Sequence, residues 1–172
     1  MEEKIRFFKI FISSPSDVAK ERRIAKQVIE ALFRKYKDKL KIEIVLYEDR
    51  VQLANRGDFQ SQIERPSQSD LTIVILWSRL GSPLSSEYRG EISGKVPVTG
   101  TEWEFEDALK GALENNSPDL LVYKKTAPII AEIDSNEAII KAQEKKKVEE
   151  FFKKWFHNKD NSFKAAYYTF RD

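Results

Sequence analysis

Apolar positions in this chain alternate between short continuous runs and longer periodic stretches. Residues 5–12 are apolar almost throughout, the pattern of a central strand covered on both faces. Ser13 and Ser14 end that run. Val18, Ala25, Val28, Ile29, Leu32 and Tyr36 then recur at helical spacing over 15–37, with Glu21, Arg22, Arg23, Lys26, Gln27 and Arg34 on the opposite face. Ser14 is placed to cap this helix, Pro15 to occupy its first position, and Asp17 to favour its N-terminus by charge. Residues 42–47 read as a second strand, 71–77 as a third and the most apolar, 120–123 as a fourth and 165–170 as a fifth. Between them, Asn55-Arg56-Gly57 signals a turn, and Phe59 and Ile63 predict a short helix ended by Pro66. Residues 82–99 read as a long mobile loop, a candidate lid. A helix follows over 101–115, then a turn at Asn116-Ser117-Pro118. Asp134 or Ser135 caps a last helix running to about 157, with Val148, Phe151, Phe152 and Trp155 on one face. Strand and helix alternate throughout, which predicts an α/β domain with a mainly parallel sheet.

Composition narrows the chemistry. The chain has 172 residues, the size of one domain, with 30 basic and 28 acidic residues and a net charge of +2. That balance gives no argument for nucleic acid or a membrane surface as partner. There is no cysteine, which excludes disulfides, thiol catalysis and thiolate metal sites. The single histidine, His157, lies in the basic, aromatic segment Trp155-Phe156-His157-Asn158 and is expected at the surface. No signal peptide or membrane-spanning run is visible, so the expected location is cytoplasmic. The chain stops at Arg171-Asp172, directly after the last strand, and is expected to be a single domain excised from a longer protein. Lys145-Lys146-Lys147 reads as a solvated helix face.

In an open α/β sheet, ligands bind outside the carboxyl ends of the strands where strand order reverses. The groups delivered there are Ser13, Ser14, Trp77, Ser78 and Arg79. Neither glycine-rich phosphate fingerprint occurs, and no histidine or cysteine cluster offers a catalytic metal site. What remains is the carboxylate-rich helix start Gly100-Thr101-Glu102-Trp103-Glu104-Phe105-Glu106. Thr101 and Glu104 fit a capping box, Glu106 and Lys110 an exposed i,i+4 pair, and Phe105, Ala108, Leu109 and Ala112 a core stripe that turns Trp103 outward. Alternatively, a glutamate in the first turn of a helix beside a strand-end crevice binds sugar hydroxyls or stabilises an oxocarbenium ion.

Phe11-Ile12-Ser13-Ser14-Pro15-Ser16-Asp17-Val18 with Glu21-Arg22 resembles the opening signature of a TIR-like domain family, the DUF4062 type. Members of that family stand at the N-terminus of STAND-type NTPases and bacterial defence proteins. Ser69-Asp70-Leu71, the stretch Ile75-Leu76-Trp77-Ser78-Arg79-Leu80-Gly81-Ser82-Pro83, and Gly100-Thr101-Glu102-Trp103-Glu104-Phe105-Glu106-Asp107-Ala108-Leu109 fit the same pattern, so the similarity spans about residues 7–125. The resemblance implies a flavodoxin-like, TIR-like three-layer fold, a five-stranded parallel sheet of order 2-1-3-4-5. It is close to TIR domains and nucleoside deoxyribosyltransferases, in both of which a glutamate acts on an N-glycosidic bond. Gly100-Thr101-Glu102-Trp103-Glu104 is similar to the deoxyribosyltransferase block Gly-Thr-x-x-Glu, which puts Glu104 at the catalytic position. TIR domains carry their glutamate after a Trp-Cys pattern that this chain lacks, so Glu102 and Glu106 stay open beside it, Glu102 as the next candidate.

The implied function is an antiphage immune or signalling effector that hydrolyses the nicotinamide–ribose bond of NAD+, with NAD+ as substrate and no cofactor or metal. Glu104 stabilises the developing cation, Ser13, Ser14 and Arg79 hold the ribose or diphosphate, and Trp77 or Trp103 stacks on a ring. Implied partners are a second copy of the domain, with Trp103 as a contact, and downstream NTPase or sensor domains. The alternatives are a non-catalytic self-association module and a nucleoside-processing or nucleotide-sensing domain.

Overall fold

The computed structural model describes residues 5–46, 60–132 and 135–172. Its centre is a five-stranded, all-parallel sheet of order β2-β1-β3-β4-β5. The strands are β1 (Arg6–Ser13), β2 (Leu40–Val45), β3 (Leu71–Leu76), β4 (Asp119–Lys125) and β5 (Tyr168–Phe170). Among the described residues, three α-helices, α1 (Ala19–Tyr36), α2 (Gly100–Asn115) and α3 (Asn136–Phe156), flank the sheet. The architecture is thus flavodoxin-like, as the alternation and the resemblance both predict. The expected turn at 55–57, Phe59, Tyr47 at the end of the second strand and the alternative cap Asp134 lie outside the described residues.

The period-two rule for strands explains how the layers form. In β3, Ile73 and Ile75 join Ile10, Ile12, Val18 and Ile29 in a core under α1. The intervening Val74 and Leu76 join Val122, Phe105, Val148, Phe151 and Phe152 in a core under α2 and α3. In β1, Phe11 turns to the second face, where it meets Val45 and Ile63. Ser13, two residues further on, is therefore delivered to the α2 side at the carboxyl end of the strand. The last helix is capped by Ser135, whose side chain accepts the Ala138 N–H at 3.0 Å.

Several local expectations are corrected. Ser14 does not cap a helix: the 3-10 turn Ser16–Val18 precedes α1 and has no side-chain cap. The buried strip of α1 includes Arg22 and Ile29, whereas Val28 (54% exposed), Leu32 (48%) and Tyr36 (42%) border it. Helical spacing alone does not distinguish a helix's buried strip from an apolar edge beside it. Residues 60–62 and 66–68 form separate 3-10 turns, and Pro66 opens the second one rather than ending a helix. The last strand is Tyr168–Phe170, shorter than the apolar run that predicts it. His157 is only half-buried, with ring centroids 4.7 Å from Phe163 and 6.0 Å from Tyr167.

The 82–99 segment is closed at its base. Leu84 N–H donates to Val98 O at 2.8 Å, and Gly100 N–H to Ser82 O at 3.1 Å. Its Leu84 and Val98 are buried against Trp103, in an arrangement with no sequence period. Trp103 is therefore buried, not turned outward, and makes no exposed contact surface.

α2 lies close to the turn at 66–68. Ser67 N–H donates to Asp107 Oδ2 at 2.8 Å, and a Cβ at Gly111 would lie 2.9 Å from Ser67 Cβ and 3.0 Å from Ser117 O. Gly111→Ala is accordingly expected to destabilise the fold, although alanine is the better helix former. Overpacking of ~1–3 kcal/mol outweighs a propensity gain of ~1 kcal/mol. Urea unfolding measures the sign; a stabilised variant would show that the helix stands further from the turn.

Candidate functional site

The site begins at the cap of α2. Two Thr-x-x-Glu registers fit a capping box there, and the chain adopts the earlier one. Thr99, with extended dihedrals, accepts the Glu102 N–H, and the Glu102 carboxylate accepts the Thr99 N–H at 3.2 Å. Lys95 Nζ also donates to Glu102 Oε1 at 2.6 Å. Glu102 is thus committed to the helix start, and Glu104 is released from the capping role that the sequence alone offers it.

Glu104 instead turns inward, only 7% exposed, over the carboxyl end of β1. Ser13 Oγ donates to its Oε2 at 2.6 Å, and Gln60 Nε2 to its Oε1 at 3.3 Å. Burial pushes its carboxyl up to about 7, while the Ser13 and Gln60 hydrogen bonds and the Arg22 charge pull the other way and Asp107 adds to the rise. Arg22 is 2% exposed and stitches the turn after β1 together. Its Nη1 donates to Ser14 O at 3.1 Å, Ser14 Oγ at 2.6 Å and Pro15 O at 3.2 Å. On α1, Arg22 belongs to the buried side, contrary to its expected place among the polar residues; Glu21 is likewise buried and pairs with Lys125 at 2.6 Å.

Glu104 opens onto a crevice of about 330 Å³ lined by residues of four chain segments, among them Ser14, Gln60, Arg79, Ser82 and Thr101. The crevice lies at the carboxyl ends of β1 and β3, where strand order reverses. Gly81 in its wall has φ +92°, a conformation that favours glycine, and a Cβ there would stand 3.4 Å from Thr101 Oγ1. Two buried polar atoms beside the crevice have no hydrogen-bond partner among the described residues: Gln60 Oε1 and Arg79 Nε.

Of the residues singled out by sequence, Ser13, Ser14, Arg79 and Glu104 are gathered here. Trp77, Ser78 and Trp103 are not. The Trp77 indole donates to Ala127 O at 2.9 Å and lies under Lys125 Nζ, 4.8 Å from the ring centroid. Ser78 gives both its N–H and its hydroxyl to Asp17 Oδ2, at 2.9 and 2.7 Å, tying the turns after β1 and β3 together. Trp103 faces a second cavity, edge-on to Tyr88 and 5.0 Å from the Arg65 guanidinium. Gln60 escaped notice because the Phe59–Ile63 spacing speaks only for apolar positions and no motif marks the polar residue between them; only the folded chain brings it to Glu104.

Glu106 is also not on the surface. It is 2% exposed and accepts the Ile92 N–H at 2.9 Å, the Ser93 N–H at 2.7 Å and the Ser93 hydroxyl at 2.6 Å. Lys110 pairs with Glu91 instead, at 3.0 Å. Glu106 therefore pins the 82–99 segment to α2. Comparison with family models, curated proteins and solved structures finds no match for this chain.

Two predictions come from these carboxylates. Glu106→Gln places an amide donor against N–H or O–H donors and should cost ~1–3 kcal/mol. Hydrogen exchange at the Ile92 and Ser93 amides should accelerate; unchanged protection there would refute the pinning. The second concerns Glu104, whose folded pKa of about 7 lies above the ordinary 4.5. Its contribution to stability is fully present below pH 4.5, falls as pH rises and levels off above about 7. The total loss is roughly 3 kcal/mol. Glu104→Gln cannot ionise, so the stability difference between parent and variant should change by that order between pH 4 and pH 8. Urea titrations at stepped pH measure it, and parallel profiles would contradict a raised carboxyl.

Proposed function

We propose that the domain is a TIR-like effector of a bacterial immune protein that hydrolyses the nicotinamide–ribose bond of NAD+. The observation that carries this reading is the buried Glu104 carboxyl, hydrogen-bonded by Ser13 and Gln60 and open to a strand-end crevice. In the reaction the bond between the nicotinamide nitrogen and ribose C1′ breaks. Its electron pair leaves with nicotinamide, neutralising the ring's positive charge. Positive charge then develops at C1′ and the ring oxygen, and the Glu104 carboxylate, held in a low-dielectric setting, stabilises it. Water adds to C1′ and gives up a proton, leaving ADP-ribose. Arg79 and the Ser14 and Ser82 hydroxyls border the same crevice and suit a diphosphate. Ring stacking by Trp77 or Trp103 is dropped from the proposal, because neither indole borders the crevice.

A second reading, a non-catalytic module that self-associates, is favoured by one feature. Ile24, Val28 and Leu32 form an apolar line on α1 at i, i+4 and i+8, each about half exposed.

The deciding experiment follows nicotinamide release from NAD+ by the concentrated protein. Glu104→Gln should lower the rate about a hundred- to thousandfold with the fold retained. Because the carboxylate is the active form, the parent's rate should rise with pH and reach half its plateau near the Glu104 pKa of about 7. Cleavage by Glu104→Gln at the parent rate would remove Glu104 from the mechanism. No release at any protein concentration would leave the self-association module as the better reading.

A further inference from the structure

The least explained polar atom beside the crevice is Gln60 Oε1. Gln60 is 3% exposed, and its Nε2 is spent on Glu104 Oε1 at 3.3 Å. Its Oε1 accepts nothing among the described residues, although it is buried. An unpartnered buried carbonyl is costly, because its lost hydration is not replaced. It borders the crevice beside Gly100, where an added Cβ would stand 3.5 Å from it. The Glu104 carboxylate adjoins it, with one donor on each oxygen and lone pairs to spare. Two acceptors joined by a hydrogen bond, with one of them wholly unmet, call for a ligand that brings two neighbouring O–H donors.

We infer that Gln60 is a substrate-selecting residue, its Oε1 accepting one hydroxyl of a vicinal sugar diol whose other hydroxyl is taken by Glu104, so that the crevice takes ribosyl and rejects 2′-deoxyribosyl compounds. This rests on the N-glycoside reading of the site and adds to it a selectivity that the reading does not require. The two acceptors act together. Without the 2′-hydroxyl, the diol is gone and one acceptor stays unmet on binding, which penalises the deoxy compound. The link from Gln60 Nε2 to Glu104 fixes the amide so that Oε1, not the amino group, meets the ligand.

The test compares NAD+ with the analogue that lacks the 2′-hydroxyl on the nicotinamide-bearing ribose. Selectivity is the ratio of kcat/KM values where cleavage occurs and of dissociation constants where it does not. The unaltered chain should prefer NAD+ by at least ~10-fold. Gln60→Met keeps the side chain's length and removes its acceptor, so the ratio should shrink to under ~3-fold. A merely structural role would weaken both compounds alike and leave the ratio intact. Equal handling of the two compounds by the parent, a ratio preserved in Gln60→Met, or no binding of either compound would each overturn the inference. Cleavage without ribose preference would sink it while sparing the hydrolase reading. Ribose-selective binding that depends on Gln60 but yields no nicotinamide would sustain it while ending the hydrolase reading.

Discussion

The hydrogen bond from Ser13 to Glu104 spans 91 residues of sequence and joins the end of a central strand to the first turns of α2. For it to form, β1 must present Ser13 on the same face as Phe11, and α2 must start at Gly100 rather than a turn later. The Thr99–Glu102 cap provides that start. Arg22 holds the turn that follows Ser13, and the Asp17–Ser78 contacts tie this turn to the one after β3. The crevice walls follow from those contacts. A ligand site at a strand-order reversal needs the turns after two neighbouring strands to diverge. Here the turns are braced against each other at Asp17 and Ser78 while the crevice opens beside them.

The layers of the fold were legible because strand burial is a period-two property of each strand alone. Ile73 and Ile75 against Val74 and Leu76 give two cores, and no partner need be known to assign the alternation. The site was legible only in part. Ser13, Ser14 and Arg79 were found by a topological rule, since strand ends converge wherever order reverses. The carboxylates of α2 were misread in their surroundings because their partners are remote. Glu106 meets residues 92–93, Asp107 meets residues 65 and 67, and Glu104 meets residues 13 and 60. Reading α2 as a one-sided amphipathic helix put Trp103 and Glu106 in solvent. The helix is in fact covered on more than one side, by α3 through Phe105 and by the 82–99 segment through Trp103 and Glu106.

Burying so many acids in one helix demands compensation for each. Glu102 has a lysine and a helix cap, Asp107 has Arg65 and the Ser67 N–H, and Glu106 has two backbone N–H groups and a hydroxyl. Glu104 has two neutral donors, with Arg22 acting on it through charge. Two neutral donors offset desolvation less fully than a direct ion pair does. This is why burial prevails at Glu104 and its carboxyl titrates near neutrality.

Under the proposed reaction, that imbalance sets stability against chemistry at one residue. The neutral acid favours the folded state, whereas stabilising an oxocarbenium ion requires the carboxylate. Adding a cation beside Glu104 would keep it ionised but would also repel the cationic substrate of the proposed reaction. Replacing it with an apolar residue would favour folding and empty the crevice of its acceptor. A carboxylate held by Ser13 and Gln60 meets both demands partway: it ionises near neutral pH and keeps lone pairs free. The cost of that ionisation is borne by the apolar packing beneath it. The fully buried Phe11, Ile12, Val74, Leu76 and Phe152 lie on both faces of the sheet that carries Ser13.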